Sequence, residues 1–293
     1  TLRVVKMRRG ASHHIETDAL AMIRVIAFVA VGMLYLSPDA YSQEKPARIL
    51  FIGADNRSGN AHVWMHTCEV LAKAVRCTAG IETTVSNGWP RDAKVAEGVR
   101  AIVVYSPPAG DHLLAGAGRD QFHTLMKQGV GLVTIHYASS ISKGGYERNG
   151  PTWLSYTGGT WVVLPIAGLS SGKSNLKQLI PGHPICRGWA EFEIDDEYYL
   201  DPVIGKGKPI LQVTERKGKD VTVGWVHERA GGGRTFCTTL GHYYKNFQDD
   251  AFRRMVVNGI LWSAGLEVPR NGAPVALSAE DLAPLPQAPR RLD

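Results

Sequence analysis

Short apolar runs alternate along the chain with segments in which apolar residues recur at helical spacing. The predicted strands lie at residues 48–53, 82–85, 101–105, 132–135, 191–194, 210–213, 222–227 and 234–240. The run at 132–135 is short and β-branched, as buried parallel strands are. The helix-spaced segments lie at residues 61–75, 120–128 and 249–263. This alternation predicts an α/β fold with a mostly parallel sheet and helices on both of its faces.

Two segments interrupt the alternation. Residues 139–181 are rich in Gly and Ser, which predicts an irregular loop or insertion above one edge of the sheet. After Leu266 the chain becomes rich in Pro and Ala, so residues 267–293 are predicted to form a disordered tail. The folded domain is therefore predicted to span residues 46–266.

The N-terminal segment has the pattern of a signal peptide. An uncharged apolar run at residues 25–36 follows Met22; its length of about a dozen residues suits a signal peptide and is too short for a membrane span. Small residues at 40 and 42 then precede Gln43, as at a cleavage site. We expect residues 1–42 to be an N-terminal extension and signal peptide, and the protein to be periplasmic or secreted, without stable membrane insertion after cleavage. The alternative is that this segment forms an amphipathic or core helix of the folded protein.

Charge and cysteine content narrow the choice of partners and cofactors. The formal net charge is +6, yet no basic run with interleaved aromatic residues occurs, so nucleic-acid binding is not predicted. In an exported protein the four cysteines could form disulfides or remain free thiols, and their spacing leaves both alternatives open. The chain has no C-x-x-C pair, which argues against a thiolate zinc site.

Polar residues of catalytic type follow several of the predicted strands. His136 ends the run at 132–135, Asp55 follows the first strand, Glu197 follows the strand at 191–194, and His242 follows the strand at 234–240. Because open α/β sheets bind ligands at the carboxyl edge of their strands, these side chains are expected to meet in one pocket. A lone histidine is more often structural, but the placement of His136 and His242 at this edge favours a functional role.

Two further groups have a functional and a structural interpretation. Asp55, Asn56 and His62 precede a predicted helix, whose first N–H groups favour polar or anionic ligands; the alternative is a turn that caps the helix through Asn60. Three consecutive acids begin at Asp195. In an extended segment Asp195 and Glu197 share one face while Asp196 points away. The alternative is a solvated acidic loop.

Taken in order, a series of short motifs resembles the trehalose-utilisation, ThuA-like family. These motifs are residues 48–53, His62-Val63-Trp64, residues 129–136, Gly158-Gly159, His183-Pro184-Ile185, Asp196-Glu197-Tyr198, Trp225, residues 233–234, Leu240-Gly241-His242 and residues 252–262. The resemblance covers about residues 46–266. It implies a flavodoxin-like, class I glutamine-amidotransferase-like fold and a link to carbohydrate catabolism. The family often has a His-Pro after its Gly-Gly and an aromatic residue, whereas Trp161 is here followed by Val162.

The resemblance also separates the chain from the glutaminases of this fold, which carry a nucleophilic cysteine where this chain has His136. We expect a sugar-processing lyase, isomerase or hydrolase that acts on a glycoside or a keto-sugar. Its predicted catalytic residues are His136, Glu197 and His242, acting as acid–base groups or as ligands of one divalent metal ion.

The expected partner is a small-molecule carbohydrate, and a homo-oligomer is left open. The residues predicted to bind the substrate are Asp55, Asn56, His62, Trp64, Tyr198 and Trp225. Each of the aromatic residues, like Trp161, can instead belong to the core. The alternative function is a non-catalytic module that binds a carbohydrate or a partner protein.

Overall fold

The computed structural model describes residues 45–56, 61–163 and 168–285. The predicted signal peptide and residues 286–293 lie outside the described residues. Among the helices of the described part, none combines the length and the apolar character needed to cross a membrane.

One half of the main sheet is parallel and has the strand order β2-β1-β3-β4-β12, which is the flavodoxin-like order. Its strands are β1 (Ala47–Gly53), β2 (Ile81–Asn87), β3 (Val99–Val104), β4 (Gly131–Ile135) and β12 (Arg234–Thr238). Each is short and apolar, and the carboxyl ends of the five strands meet at one edge. The predicted α/β class with a mostly parallel sheet is therefore confirmed for this half.

Four antiparallel strands extend the same sheet beyond β12 in the order β11-β10-β7-β8. They are β7 (Leu169–Gln178), β8 (Phe192–Tyr199), β10 (Lys208–Thr214) and β11 (Asp220–Glu228). A small second sheet has the order β5-β6-β9 and consists of β5 (Ser140–Ile141), β6 (Gly159–Val162) and β9 (Val203–Ile204). The nine-stranded sheet as a whole is therefore mixed.

Helices cover both faces of the parallel half because its central strands are apolar on both sides. They are α1 (Trp64–Val75), α2 (Ala109–Ala115), α3 (Arg119–Lys127), α4 (Lys143–Thr157), α5 (Tyr244–Gln248) and α6 (Asp250–Ser263). Residues Ile49 and Phe51 of β1 pack in one core cluster with α1 and α6. Leu50 and Ile52 point to the opposite face and pack with α2, α3 and α4.

The segment 139–181 is not the irregular loop that its composition predicts. It contains β5, α4, β6 and β7. The side chain of Ser142 caps α4 by accepting the N–H of Gly145, and Trp153 of α4 is fully buried. Tertiary packing of this helix against α2 thus outweighs the low helix propensity of its Gly and Ser residues.

The prediction of a disordered tail is wrong for residues 267–285. Val268, Ala273 and Val275 are buried in the core cluster that contains α1 and α6. Arg253 and Arg254 of α6 donate hydrogen bonds to the carbonyl oxygens of Val275 and Ala273. A few apolar contacts and side-chain donors from α6 order a Pro-rich segment that has no regular secondary structure of its own.

The four cysteines all lie in the described ranges and are free thiols. Cys68, Cys186 and Cys237 are buried, whereas Cys77 is exposed. Burial raises the pKa of the Cys186 thiol and of the Cys237 thiol to about 12. The sequence left open whether the cysteines form disulfides or remain free thiols, and in the structure they are free thiols.

Candidate functional site

His136 stands at the carboxyl end of β4, where the chain turns sharply into a short 3₁₀ helix. Its backbone has a positive φ of 53°, and the ring is fully buried. A left-handed backbone at a residue other than glycine costs about 1–3 kcal/mol and often marks a functional site. The Nδ1 atom lies 3.0 Å from the carbonyl oxygen of Thr239. Since a carbonyl oxygen only accepts, Nδ1 carries the proton and Nε2 presents its lone pair to the site.

Two more histidines direct ring nitrogens at the Nε2 atom of His136. His62 comes from the segment between β1 and α1, and its Nε2 atom is 3.2 Å from Nε2 of His136. His242 follows β12, and its Nδ1 atom is also 3.2 Å from that nitrogen. The three ligand atoms all lie within 4.8 Å of one another. His62 shares the left-handed backbone of His136, with a φ of 57°.

Glu197 lies beside this histidine cluster (His62, His136 and His242). Its Oε1 atom is 3.7 Å from Nδ1 of His242 and 4.0 Å from Nε2 of His136. Burial lowers the pKa of His136 well below its usual range and also lowers the pKa of His242. Burial raises the pKa of Glu197. The site therefore favours neutral imidazoles next to a carboxyl group that takes up a proton more readily than an exposed one.

The cluster has the donor set and spacing of a metal site. Tetrahedral Zn²⁺ binds His nitrogens at about 2.0–2.1 Å, which places neighbouring ligand nitrogens roughly 3.3 Å apart. Two of the three separations between the ring nitrogens, both from Nε2 of His136, are 3.2 Å, and all three lie within 4.8 Å. Metal-binding histidines usually donate their other N–H to a carbonyl or carboxylate, as His136 does toward Thr239. On these three observations the residues fit a divalent transition-metal ion.

Next to the cluster lies a pocket of about 230 Å³. Its lining residues are His62, Tyr137, Trp161, Val163, Leu169, Glu197 and Tyr199. The ring of Trp161 stacks on that of Tyr199 at 4.3 Å between centroids, and the Tyr199 hydroxyl is 3.2 Å from Nε2 of His136. Neutral aromatic walls beside a few convergent polar groups are typical of a small-molecule site.

β8 supplies the acidic part of the site. The three acids lie within this strand, not after it, because β8 pairs with β7 as far as Tyr199. Asp196 is fully buried, whereas Asp195 and Glu197 are partly exposed, as the alternation of an extended segment requires. Asp195 forms an ion pair with Lys245 and does not join the histidine cluster.

Four of the other predicted binding residues belong neither to the cluster nor to the lining of the pocket. Asp55 and Asn56 are exposed; Asp55 accepts a hydrogen bond from Asn87, and Asn56 accepts one from the backbone of His66. Tyr198 and Trp225 are buried among core residues and donate to backbone carbonyl oxygens, so their rings are closed to a sugar. For Tyr198 and Trp225 the predicted substrate contact is therefore corrected to a core role.

Trp64 is buried next to the cluster, with its ring stacked on His62 at 5.3 Å between centroids. Trp64 therefore packs against the imidazole of His62 and does not line the pocket. His62, predicted only to bind substrate, belongs to the nitrogen cluster itself.

Two residues near the cluster are missing from the sequence-based site. Tyr199 shares the face of Glu197 in β8, so the same two-residue alternation that selected Glu197 indicates it. Tyr137 directly follows His136 and lines the pocket. No sequence signal identifies Tyr137, because its orientation depends on the left-handed turn at His136.

The fold and site together define a flavodoxin-like, class I glutamine-amidotransferase-like protein, with a histidine cluster at the carboxyl edge of its sheet. Residues 48–263 match the family described as ThuA, trehalose utilisation. The chain belongs to this ThuA family, which indicates a carbohydrate-related function. The match covers the sheet, the helices and every member of the histidine cluster.

Solved structures with low sequence identity share the fold. A ThuA-like protein from Bacteroides uniformis is 17% identical with a TM-score of 0.58, covering 78% of this chain and 95% of that chain. A ThuA-like protein from Parabacteroides merdae is 15% identical with a TM-score of 0.56, covering 81% and 99%. A cytoplasmic protein from Salmonella typhimurium is 13% identical with a TM-score of 0.54, covering 74% and 99%. No curated protein matches the chain significantly.

Proposed function

We propose that the protein is a metal-dependent enzyme that acts on a glycoside or a keto-sugar, with His62, His136 and His242 as the metal ligands. The observation that carries this proposal is the convergence of three ring nitrogens beside a pocket with aromatic walls. Membership of the ThuA family supports a carbohydrate as the substrate class.

The surroundings of the His136 Nε2 atom favour a cation at this point. The Nδ1 proton is directed at Thr239, so Nε2 offers one lone pair. Three polar atoms lie 3.2 Å from it, namely His62 Nε2, His242 Nδ1 and the Tyr199 hydroxyl oxygen. One lone pair cannot accept three hydrogen bonds at once. A cation held between the three nitrogens uses all their lone pairs together and leaves the Tyr199 hydroxyl to donate elsewhere.

The residues around the cluster have different roles in the proposed reaction. His62, His136 and His242 would hold a divalent ion, which when bound would polarise a carbonyl or hydroxyl oxygen of the sugar. Glu197, with its pKa raised by burial, accepts or returns a proton close to that oxygen. The Tyr199 hydroxyl donates a hydrogen bond to negative charge that develops there. Tyr137 and Trp161 offer aromatic surface to the apolar side of a sugar ring.

With a keto-sugar these roles give a balanced reaction without a nucleophile. Glu197 takes the proton from the carbon next to the ketone, and the electron pair of the broken C–H bond forms an enolate. In an elimination, the enolate electrons expel the oxygen substituent from the next carbon, and that leaving group receives the proton that Glu197 has taken. In an isomerisation, the carbon that lost its proton carries a hydroxyl group. The hydroxyl proton moves to the enolate oxygen, the former carbonyl carbon receives the proton held by Glu197, and the carbonyl group is thereby transferred to the neighbouring carbon. Neither route requires the cysteine of the glutaminases.

The departure after Gly159 favours a second candidate function, a non-catalytic module that binds carbohydrate or a partner protein. Where the resembling family often has a His-Pro, this chain continues β6 as Trp161-Val162. The histidine cluster is complete without a residue from that segment, which supports the enzyme as the first proposal.

Metal content and sugar binding decide between the two functions. We expect purified protein to contain about one divalent ion per chain, and a keto-sugar to raise its melting temperature only while the ion is bound. His136→Ala and His242→Ala should both remove the ion. The matched control is His123→Ala, because His123 bonds Tyr156 away from the cluster and should keep it. Sugar binding without a metal ion, unchanged in both variants, would favour the binding module.

We also propose that this chemistry takes place outside the cytoplasm, in the periplasm or after secretion. The support is the apolar run at residues 25–36 and the small residues before Gln43.

A further inference from the structure

Behind the histidine cluster, the buried carboxylate of Asp196 joins two of the segments that form the site. We propose that Asp196 is a positioning residue, which sets the His242 imidazole and the Glu197 carboxylate relative to each other and thereby pre-organises the metal site. The inference about metal affinity rests on the proposed function, whereas the inference about the position of His242 does not.

Three backbone N–H groups donate to this one carboxylate. Oδ2 accepts the N–H of Gly241 at 2.6 Å, and Oδ1 accepts the N–H groups of His242 and Glu197, each at 2.9 Å. Asp196 is fully buried, so these bonds form away from water. A buried N–H group that loses its acceptor costs about 1–3 kcal/mol, so each of these three bonds resists separation. The segment that carries His242 is therefore attached firmly to β8, which carries Glu197.

Gly241 makes this attachment necessary. Its φ of 107° lies where residues with a side chain are rarely found, and a Cβ atom there would lie 2.9 Å from Phe247. Because glycine has no side chain, the backbone at Gly241 can rotate more freely, and such rotation would move the His242 imidazole. Asp196 holds the N–H of Gly241, and the Tyr105 hydroxyl donates to its carbonyl oxygen at 2.6 Å. Hydrogen bonds thus fix the peptide groups on both sides of Gly241, and these in turn fix the backbone position of His242.

Asp196 itself is not placed to hold the metal ion. Its neighbour Glu197 points toward the histidine cluster, and adjacent strand residues point to opposite faces. Both of its carboxylate oxygens are engaged by backbone donors.

The test compares Asp196→Asn with wild type. Asn has the same shape, but it replaces one accepting oxygen by an NH₂ group that faces an N–H donor. We expect Zn²⁺ affinity, measured by competition with a chromophoric chelator, to fall by about 10–100-fold, as for other residues that orient metal ligands. The control is Asp111→Asn, because Asp111 also accepts a backbone N–H and a hydroxyl, from Ser142 at the start of α4. It should bind Zn²⁺ as wild type does, whatever its melting temperature.

A second variant and a crystal structure cover the remaining outcomes. Tyr105→Phe removes only the hydroxyl that donates to the carbonyl oxygen of Gly241, and it should also lower the affinity for Zn²⁺. This variant provides the test if Asp196→Asn does not fold. In a crystal structure of either variant, the 3.2 Å separation between His242 Nδ1 and His136 Nε2 should increase. Variants that retain this separation and wild-type Zn²⁺ affinity would overturn the inference. If wild type binds no Zn²⁺, the proposed function fails, and the separation alone decides whether Asp196 positions His242.

Discussion

Two histidines of the cluster, His62 and His136, adopt a left-handed backbone that side-chain-bearing residues usually avoid. Each follows a parallel strand of the same sheet, His136 directly after β4 and His62 in the segment after β1. In both places the turn directs the imidazole across the carboxyl edge of the sheet, so that the two Nε2 atoms come within 3.2 Å. The cost of the strained backbone is offset by the surrounding fold, and such strain is typical of functional sites.

The neighbouring tyrosines of β8 provide a matched test of the site at the residue scale. Tyr199→Phe removes a hydroxyl 3.2 Å from Nε2 of His136, whereas Tyr198→Phe removes one that donates to the carbonyl oxygens of Gly172 and Ile194 in the core. We expect Tyr199→Phe to retain the metal ion and to reduce turnover of a keto-sugar by about 10²–10³-fold, the range for loss of one donor to a developing oxyanion.

For Tyr198→Phe we expect a lower melting temperature with unchanged turnover per folded molecule. Metal content, melting temperature and turnover are measured on both variants. Equal turnover in the two variants would exclude Tyr199 from the chemistry.

At the element scale, the short 3₁₀ helix at Pro184–Cys186 depends on a titratable cap. His183 accepts the N–H of Ile185 through Nδ1 at 3.3 Å, and its ring packs edge-on against Trp262 of α6 at 5.0 Å between centroids. Burial lowers the pKa of His183 to about 4. The cap requires an unprotonated Nδ1, because a protonated imidazole has no acceptor.

This cap makes part of the stability of the fold dependent on pH. Between the unfolded-state pKa of about 6.5 and the folded-state pKa of about 4, the unfolded chain binds more protons than the folded chain. The contribution of His183 to the free energy of unfolding is therefore present above pH 6.5 and declines as the pH falls toward 4.

His183→Asn keeps an accepting oxygen for the N–H of Ile185 but does not titrate. We expect the free energy of unfolding of this variant to decline less between pH 6.5 and pH 4 than that of wild type. Urea unfolding at several pH values measures the difference. Parallel pH profiles for the two proteins would show that this cap does not titrate as the structure indicates.

At the scale of the whole molecule, export is open to a direct test. Expressed with its full N-terminus in a bacterial host, the protein should appear in the periplasm or the medium with Gln43 as its first residue. Substitution of Ser42 by Arg places a large charged residue at the cleavage site and should leave the precursor uncleaved. Fractionation and intact-mass spectrometry measure both outcomes. Wild-type protein that stays in the cytoplasm at full length would rule export out.

The α/β class and the position of the candidate site follow from the sequence because both depend on local patterns. Apolar runs bounded by Gly predict β1, β3 and β4, and a parallel arrangement places His136 and His242 at one edge. The two-residue period of an extended segment is sufficient to assign Glu197 and Asp196 to opposite faces. These inferences require only the geometry of a strand and the parallel arrangement of the sheet.

Contacts between distant parts of the chain decide the rest. His62 joins the cluster because the chain turns back after β1, and Asp196 supports His242 because β8 and the segment after β12 meet 45 residues apart in sequence. Trp225 belongs to the core, α4 forms from a Gly-rich segment, and the Pro-rich chain at 267–285 is ordered, all through burial against partners that local patterns do not identify. Local propensity differs by less than about 1 kcal/mol for most residues, whereas burying one large side chain contributes about 1.5–3 kcal/mol. Where the two conflict, the tertiary contacts prevail.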